Sequence, residues 1–387
     1  LEYGSGYSLV EVFAPYGYTL NSEPVYFDVT QDEASNEDGV TVIEVVKPNM
    51  AQKGAIKISK SGEVFSSVTE ADRMYQPVFS VQGLPGAVYE ITAAEDIITP
   101  DGTTRYGKGE IVDTVTTDKT GLAESKPLYL GKYEIREIKA PYGMVLNTDI
   151  RTAELVYAGQ EIEITETSAS FYNERQKAAV SLNKVLEQNA KFGIGTNGEI
   201  SAVTFGLFAT EDLTAADGSV IPTDGLLEIL SVDENGHAVC NTDLPFGSFY
   251  LGELSTDEHY ILSDEKHPIV FDYAGQDTAL VEIKANDGKP IDNDLIYGEI
   301  YGLKKDEDGN ALGGAVIGLF KSDCNEFTKE NAILTATSAE DGGFSFADVP
   351  YGNWLVREIE APTGFVLSDE TFTVTVDKDG AVIEVEI

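Results

Sequence analysis

Tyr133–Leu146 reads YEIREIKAPYGMVL, and the chain writes this phrase four times. The other copies are YSLVEVFAPYGYTL at Tyr7–Leu20, FYLGELSTDEHYIL at Phe249–Leu262 and WLVREIEAPTGFVL at Trp354–Leu367. Each opens as a strand in which apolar and polar residues alternate, so residues two apart share a face. That alternation puts Glu11, Glu137, Glu253 and Glu358 on the inward side. Three copies continue with Ala-Pro and a turn that ends in Gly plus an aromatic residue or Met. A repeat this long describes a string of similar domains rather than a solenoid of small units. A carboxylate at the same inward place in every repeat is costly unless it has a task.

The chain has 387 residues, enough for two to four domains with cores of their own. Asp plus Glu number 67 against 26 Lys plus Arg, a net charge of −41. Such acidity argues against nucleic acid and anionic membranes as partners, since both require a basic stripe, and describes a soluble, self-repelling surface. Cys240 and Cys324 fall in different repeats, so no disulfide is expected within a domain. No signal peptide, membrane-spanning run or sorting tail is visible. The first residues already sit inside a repeat, so the chain reads as a piece of a longer protein.

Strand signals dominate, as in Glu110–Thr116, Ile200–Phe208 and Thr371–Val376, and the runs are closed by Gly, Asp-Gly, Asn-Gly or Pro. The expected fold class is all-β, a series of sandwiches, with short helices expected only in inserts such as Ser66–Arg73. A turn, a strand and a bend precede each glutamate strand at Thr117–Gly131, Val232–Gly247 and Ala339–Gly352. A further strand word recurs as LPGAVYEI (Leu84–Ile91), VTFGLF (Val203–Phe208) and GGAVIGLF (Gly313–Phe320). The expected divisions are 1–49 (the C-terminal part of a domain), 50–174, 175–294, and 295–387 (a domain lacking its last strand).

At each junction an asparagine precedes a lysine by eleven residues: Asn49 to Lys60, Asn173 to Lys184, Asn293 to Lys304. Each lysine ends an alternating run, Ile56-Ile58-Lys60, Val180-Leu182-Lys184 or Ile300-Gly302-Lys304, and therefore points to the core. A lysine pointing inward needs a partner. Within a repeat the order is Lys, Glu, Asn: Lys60, Glu137 and Asn173, then Lys184, Glu253 and Asn293. If the first and last strands are neighbours, the three side chains meet in one apolar pocket. Burial there lowers the lysine pKa and raises the glutamate's, because both charged forms lose solvation. A neutral amine can attack the Asn carbonyl, while a protonated carboxyl polarises that carbonyl and relays protons. Ammonia would leave and a Lys–Asn isopeptide bond remain, a single-turnover reaction driven by fixed proximity, not multiple-turnover enzyme catalysis. The first segment has Glu11 and the acceptor Asn49 without a donor strand; the last has the donor Lys304 and Glu358 and stops before an acceptor.

These residues resemble the Cna-B or SpaA-type pilin domains of Gram-positive surface proteins. The resemblance rests on the glutamate strand with its APxG tail, the LxGAxF-like strand and the strand-ending lysine, and is densest in GLKKDEDGNALGGAVIGLF (Gly302–Phe320). It implies tandem transthyretin-like (reverse immunoglobulin) sandwiches in an elongated rod, self-made isopeptide bonds, and a pilus or stalk role on a Gram-positive cell wall, outside the cell. It further implies other pilin or surface-protein subunits as partners, sortase among them, with no cofactor. The Glu253 copy departs from the pattern with Ser255-Thr256-Asp257 in place of Ala-Pro-Gly.

The plain alternative at each pocket is a buried Lys–Glu ion pair capped by Asn. Two other functions compete with the stalk. One is an adhesin domain gripping a host matrix protein or glycan through Ile97–Lys108 and Ala215–Gly225. The other is a set of accessory modules of a carbohydrate-active enzyme. His237, His259 and His267 lack ligand spacing, so no metal is expected. Asp306-Glu307-Asp308-Gly309 reads as a hairpin turn rather than a calcium loop, and Trp354 as core. Lys47 in VVKPN only faintly matches a pilin lysine used by sortase, whose order is Tyr-Pro-Lys.

Overall fold

The computed structural model describes residues 1–30, 40 and 42–387, so part of the segment 1–49 lies outside it. Strands form almost everywhere the alternation predicts them, and the chain divides into two compact units. The first comprises Leu1–Ser66, Phe79–Lys177 and Tyr273–Val281; the second comprises Ser67–Val78, Ala178–Asp272 and Glu282–Ile387.

In the first unit one sheet has the order Ile150–Leu155, Gly131–Lys139, Val88–Ala93, Ile111–Thr116, all antiparallel. The facing sheet is built on the strand that starts at Lys53. It runs antiparallel to Leu122–Glu124 and Leu128–Tyr129 but parallel to Ile164–Asn173. Ile56, Ile58, Tyr89, Ile91, Tyr133, Ile135 and Phe171 fill the space between the sheets, each on the inward phase of its strand. The parallel pair brings the beginning and end of the segment side by side, with Phe171 opposite Lys60 and Asn173 opposite Gly62.

The second unit repeats this plan twice. In its first sandwich the sheet order is Leu226–Ser231, Thr204–Ala209, Gly247–Ser255, Lys266–Phe271. Across from it Lys177–Leu186 lies parallel to Ile291–Asn293, with Ile291 opposite Lys184. In the second sandwich Leu334–Thr337, Val316–Lys321, Gly352–Glu360 and Thr371–Val376 face a sheet of Gly343–Pro350, Tyr297–Leu303 and Ala381–Glu386. Trp354 is in its core, with its indole N–H donated to the Pro350 carbonyl.

Four expectations need correction. Ser66–Arg73 is not helical: the strand beginning at Lys53 runs on to Ala71 and turns at Asp72 and Arg73, both at positive φ. Its Val-Phe-Ser-Ser-Val-Thr composition favours extended backbone over helix. For the same reason Lys60 lies inside its strand rather than at the end. Ile200–Phe208 is a strand only from Thr204, because Glu199–Ala202 forms a 3-10 turn. The last segment does have a closing strand, Ala381–Glu386, parallel to Tyr297–Leu303; the alternation of Val382 and Glu384 with Ile383 and Val385 supplies it. Its register puts Glu386 opposite Leu303, one residue short of Lys304. The Asp306 turn closes a hairpin as expected, its carboxylate accepting from the amides of Asp308 and Asn310.

Candidate functional site: buried amine, carboxyl and carboxamide

Lys60, Glu137 and Asn173 meet between the sheets of the first unit, and no side-chain surface of Lys60 or Glu137 reaches solvent. Three strands deliver them: the lysine and the asparagine come from the parallel pair, and the glutamate from the facing sheet. Lys60 Nζ stands 3.4 Å from Glu137 Oε1 and donates a short hydrogen bond to Asn173 Oδ1. Asn173 Nδ2 donates to both glutamate oxygens, at 3.1 and 2.9 Å. Tyr89, opposite Glu137 on the next strand, donates its hydroxyl to Oε1 at 3.4 Å. Burial pulls the Lys60 ammonium from its ordinary 10.5 down to about 8, against the opposing attraction of Glu137. The same burial pushes the Tyr89 hydroxyl up, so it stays a donor.

The second set is built alike. Lys184 Nζ donates to Asn293 Oδ1 at 2.5 Å and to the Ile291 carbonyl at 3.2 Å, and lies 3.9 Å from Glu253 Oε1. Asn293 Nδ2 donates to the two Glu253 oxygens at 3.0 and 2.9 Å. Desolvation lowers the Lys184 pKa to about 8 as well. The departure from Ala-Pro-Gly has a use here: the Thr256 hydroxyl accepts a further hydrogen bond, 3.1 Å, from Asn293 Nδ2. Phe205 takes the place held by Tyr89, so this carboxylate lacks the phenolic donor.

The other two sets are partial. Asn49 Nδ2 donates to both oxygens of Glu11, at 2.9 and 2.8 Å, but Lys47 turns away to Asn21 Oδ1 and the Glu23 carbonyl. Lys304 Nζ lies 3.9 Å from Glu358 Oε2, and buried Glu358 Oε1 has no hydrogen-bond partner. In the two full sets that oxygen receives the asparagine amide. Lys305, next in sequence, points outward to an ion pair with Glu386 at 2.8 Å.

Sequence reading missed two backbone devices. Ten residues beyond each glutamate an amide donates to its Oε2: Asn21, Asn147, Ser263 and Ser368, at 2.8–2.9 Å. The signal was present, since each is the Asn or Ser that comes directly after the quoted phrase and nucleates a turn with its own side chain. The second device is a glycine. Gly121, Gly236 and Gly342, all at positive φ, accept the backbone N–H of Lys60, Lys184 and Lys304 at 2.7, 2.6 and 2.8 Å. A Cβ at any of them would run into that lysine's carbonyl.

The arrangement also refines the expected division of labour. The amine faces the asparagine oxygen, whereas the carboxyl faces its nitrogen, the group that would depart. The geometry therefore suits Glu137 and Glu253 to protonating a leaving amine more directly than to polarising the carbonyl. Elsewhere His259 Nδ1 pairs with Asp257 at 2.5 Å, His267 is buried, and both cysteines are free. Among the described residues no cluster of His, Cys, Asp or Glu could hold a metal, and no helix is long and apolar enough to cross a membrane.

Comparison with known proteins finds a family match in two stretches of the chain. The family described as SpaA, prealbumin-like fold domain, matches residues 80–169 and 298–387, and these two stretches are domains of that kind. The chain is 29% identical over 148 residues to the trypsin-resistant surface T6 protein of Streptococcus pyogenes serotype M6, a match covering 38% of this chain and 26% of that one. The Bacillus anthracis TIE protein shares the fold at a TM-score of 0.59 and 20% identity, over 88% of this chain and 51% of the other. The major pilin subunit BcpA of Bacillus cereus matches at a TM-score of 0.37 and 15% identity, over 87% and 99%. The chain thus spans about a quarter of the curated relative it matches and half of the TIE structure.

Proposed function

We propose that this chain is part of a cell-surface stalk or pilin of a Gram-positive bacterium, made of sandwiches at 50–174, 175–294 and 295–387 after a partial one at 1–49. In two of them Lys60–Asn173 and Lys184–Asn293 are joined by isopeptide bonds that the fold itself makes. The observation carrying this reading is the twice-repeated contact of amine, carboxyl and carboxamide in a pocket without solvent. Proton transfer from the ammonium to the carboxylate gives a neutral amine and a carboxylic acid. The amine nitrogen attacks the asparagine carbonyl carbon and the new C–N bond forms. The carboxyl passes a proton to the departing nitrogen while the carboxylate form collects one from the attacking nitrogen. The old C–N bond breaks and ammonia forms; the glutamate, left as the carboxylic acid, then gives its remaining proton to that ammonia, which departs as ammonium and leaves the carboxylate as it began. By position the same roles fall to Glu11 and Asn49, and to Lys304 and Glu358, each set lacking one member among the described residues.

The SpaA-type domains and the streptococcal surface relative support the stalk role, in which bonded domains would carry an adhesive fibre and join other surface subunits. Resistance of that relative to trypsin is what covalently closed sandwiches would confer. Intact-mass measurement is the direct test. The purified chain should weigh two ammonia molecules less than its sequence, and Glu137→Ala should restore one and lower the melting temperature. A parent chain of full sequence mass would refute the bonds.

A further inference from the structure

Gln52 and Gln176 each stand three residues beyond an asparagine of the set, and each is almost wholly buried. Their side chains have the same partners. Gln176 Oε1 accepts from the Ala274 amide at 2.8 Å, and its Nε2 donates to the carbonyls of Gly275, at 3.2 Å, and Thr278, at 2.6 Å. Gln52 does the same with Ala158, Gly159 and Ile162. Both partners are turns reading Tyr-Ala-Gly-Gln, at 157–160 and 273–276. Each turn returns the contact: Gln160 Oε1 accepts from Ala14 N at 2.7 Å and Gln276 Oε1 from Ala140 N at 2.9 Å. These residues all belong to the first unit.

The clamp grips both halves of the bonding site. Gln176 N donates to the Gly143 carbonyl at 2.9 Å, and Val145 N to the Glu174 carbonyl at 2.9 Å. The segment that ends in Asn173 is thereby tied to the loop after Glu137. Ala140, held by Gln276, begins that loop. The third junction lacks the device: Ile296 stands where a glutamine would, and Asp379 of DKDG accepts from Tyr297 N instead.

We propose that Gln176 and Gln276 are positioning residues for the Lys60–Asn173 bond. They hold the acceptor strand and the glutamate loop together, so that this bond forms only after the turn at 273–278 has docked. The site is thus completed by residues about a hundred positions beyond its own acceptor, and bonds mature in an order set by the folding of downstream sequence. The proposal rests on the isopeptide reading but has a structural content that can be tested without it. A misplacement of about 1 Å in a proximity-driven reaction costs up to about a hundredfold in rate.

The experiment uses the full chain with Gln176→Ala and, separately, Gln276→Ala. Ammonia loss at each site is timed by peptide mass, and amide exchange is monitored at 143–147 and 171–176. Both variants should slow the Lys60–Asn173 bond at least about tenfold and leave Lys184–Asn293 at the parental rate, which also controls for folding. Parental rates at both sites would overturn the proposal, as would equal slowing of the two. Should the parent lose no ammonia anywhere, the isopeptide reading fails, and exchange decides the clamp. Faster exchange at 171–173 in either variant sustains it, and unchanged exchange in both removes it.

Discussion

At the scale of single residues, an ammonium is kept in a place that disfavours its charge. The ordinary lysine value is 10.5 and the buried Lys60 lies at about 8, so between those limits the unfolded chain binds a proton that the folded chain does not. Stability of an unbonded sandwich therefore rises as pH climbs from about 8 to about 10.5, and the burial penalty is felt in full below about 8. Asn173→Ala blocks the bond while keeping Lys60 and Glu137. Its urea midpoint should increase across that window relative to an Asn173→Ala, Lys60→Met control, in which tyrosine titration is the same. Parallel curves for the two would mean Lys60 is not held down in pKa. These residues were legible in the sequence for two physical reasons. Period-two alternation assigns Lys60, Glu137 and their counterparts to the core face, and the fixed spacing from asparagine to lysine ties the sets together. The amides of Asn147 and Ser263 were marked only by the Asn or Ser that recurs directly after each glutamate phrase; that their N–H groups reach the carboxylates was decided by folding, because every residue carries an N–H. Gln52 and Gln176 recur in register but lie in linkers, where a polar residue raises no question until burial is known.

Elements place those residues, and the parallel pairing of first and last strands is the step that matters most. Alternation revealed the strands but not their neighbours, so the meeting of Lys60 and Asn173 was conditional until the register put Asn173 two residues past the one facing Lys60. Strand limits were less readable. Val64, Phe65 and Val68 are as fit for a strand as Ile56 and Ile58, so nothing local marks Lys60 as an end. The glycine brace shows how the strand is kept in register at the lysine. Gly121 has φ of +82° and sits against the Lys60 carbonyl, and it takes the Lys60 amide proton. Gly121→Ala imposes both a left-handed backbone on a residue with a Cβ and a clash with that carbonyl, at a cost of about 1–3 kcal/mol. Denaturant titration should show that loss. Peptide mass should show the Lys60–Asn173 bond formed more slowly, with Lys184–Asn293 unaffected. A stable variant with unchanged bond formation would reduce Gly121 to an ordinary turn residue.

For the whole chain, the bonds would change which residues bear tension. In a parallel first–last pair, force enters by one strand and leaves by its neighbour, so a Lys–Asn bridge between them takes the load and shields everything enclosed. The two bridges would close loops of 113 and 109 residues. By the loop-entropy relation each restricts the unfolded chain by about 5 kcal/mol. Mechanically the consequence is larger, because no force short of bond rupture can extend the enclosed residues. The segment 295–387 has no such bridge, and it should unfold under load and lengthen by about 300 Å. Single-molecule stretching of the parent chain should therefore show extension of that order and no more from the sandwiches. A Glu137→Ala, Glu253→Ala variant frees both loops and should add about 700–800 Å in further steps. If the parent already yields the longer extension, the bridges are not in the load path and the chain resists force by hydrogen bonds alone.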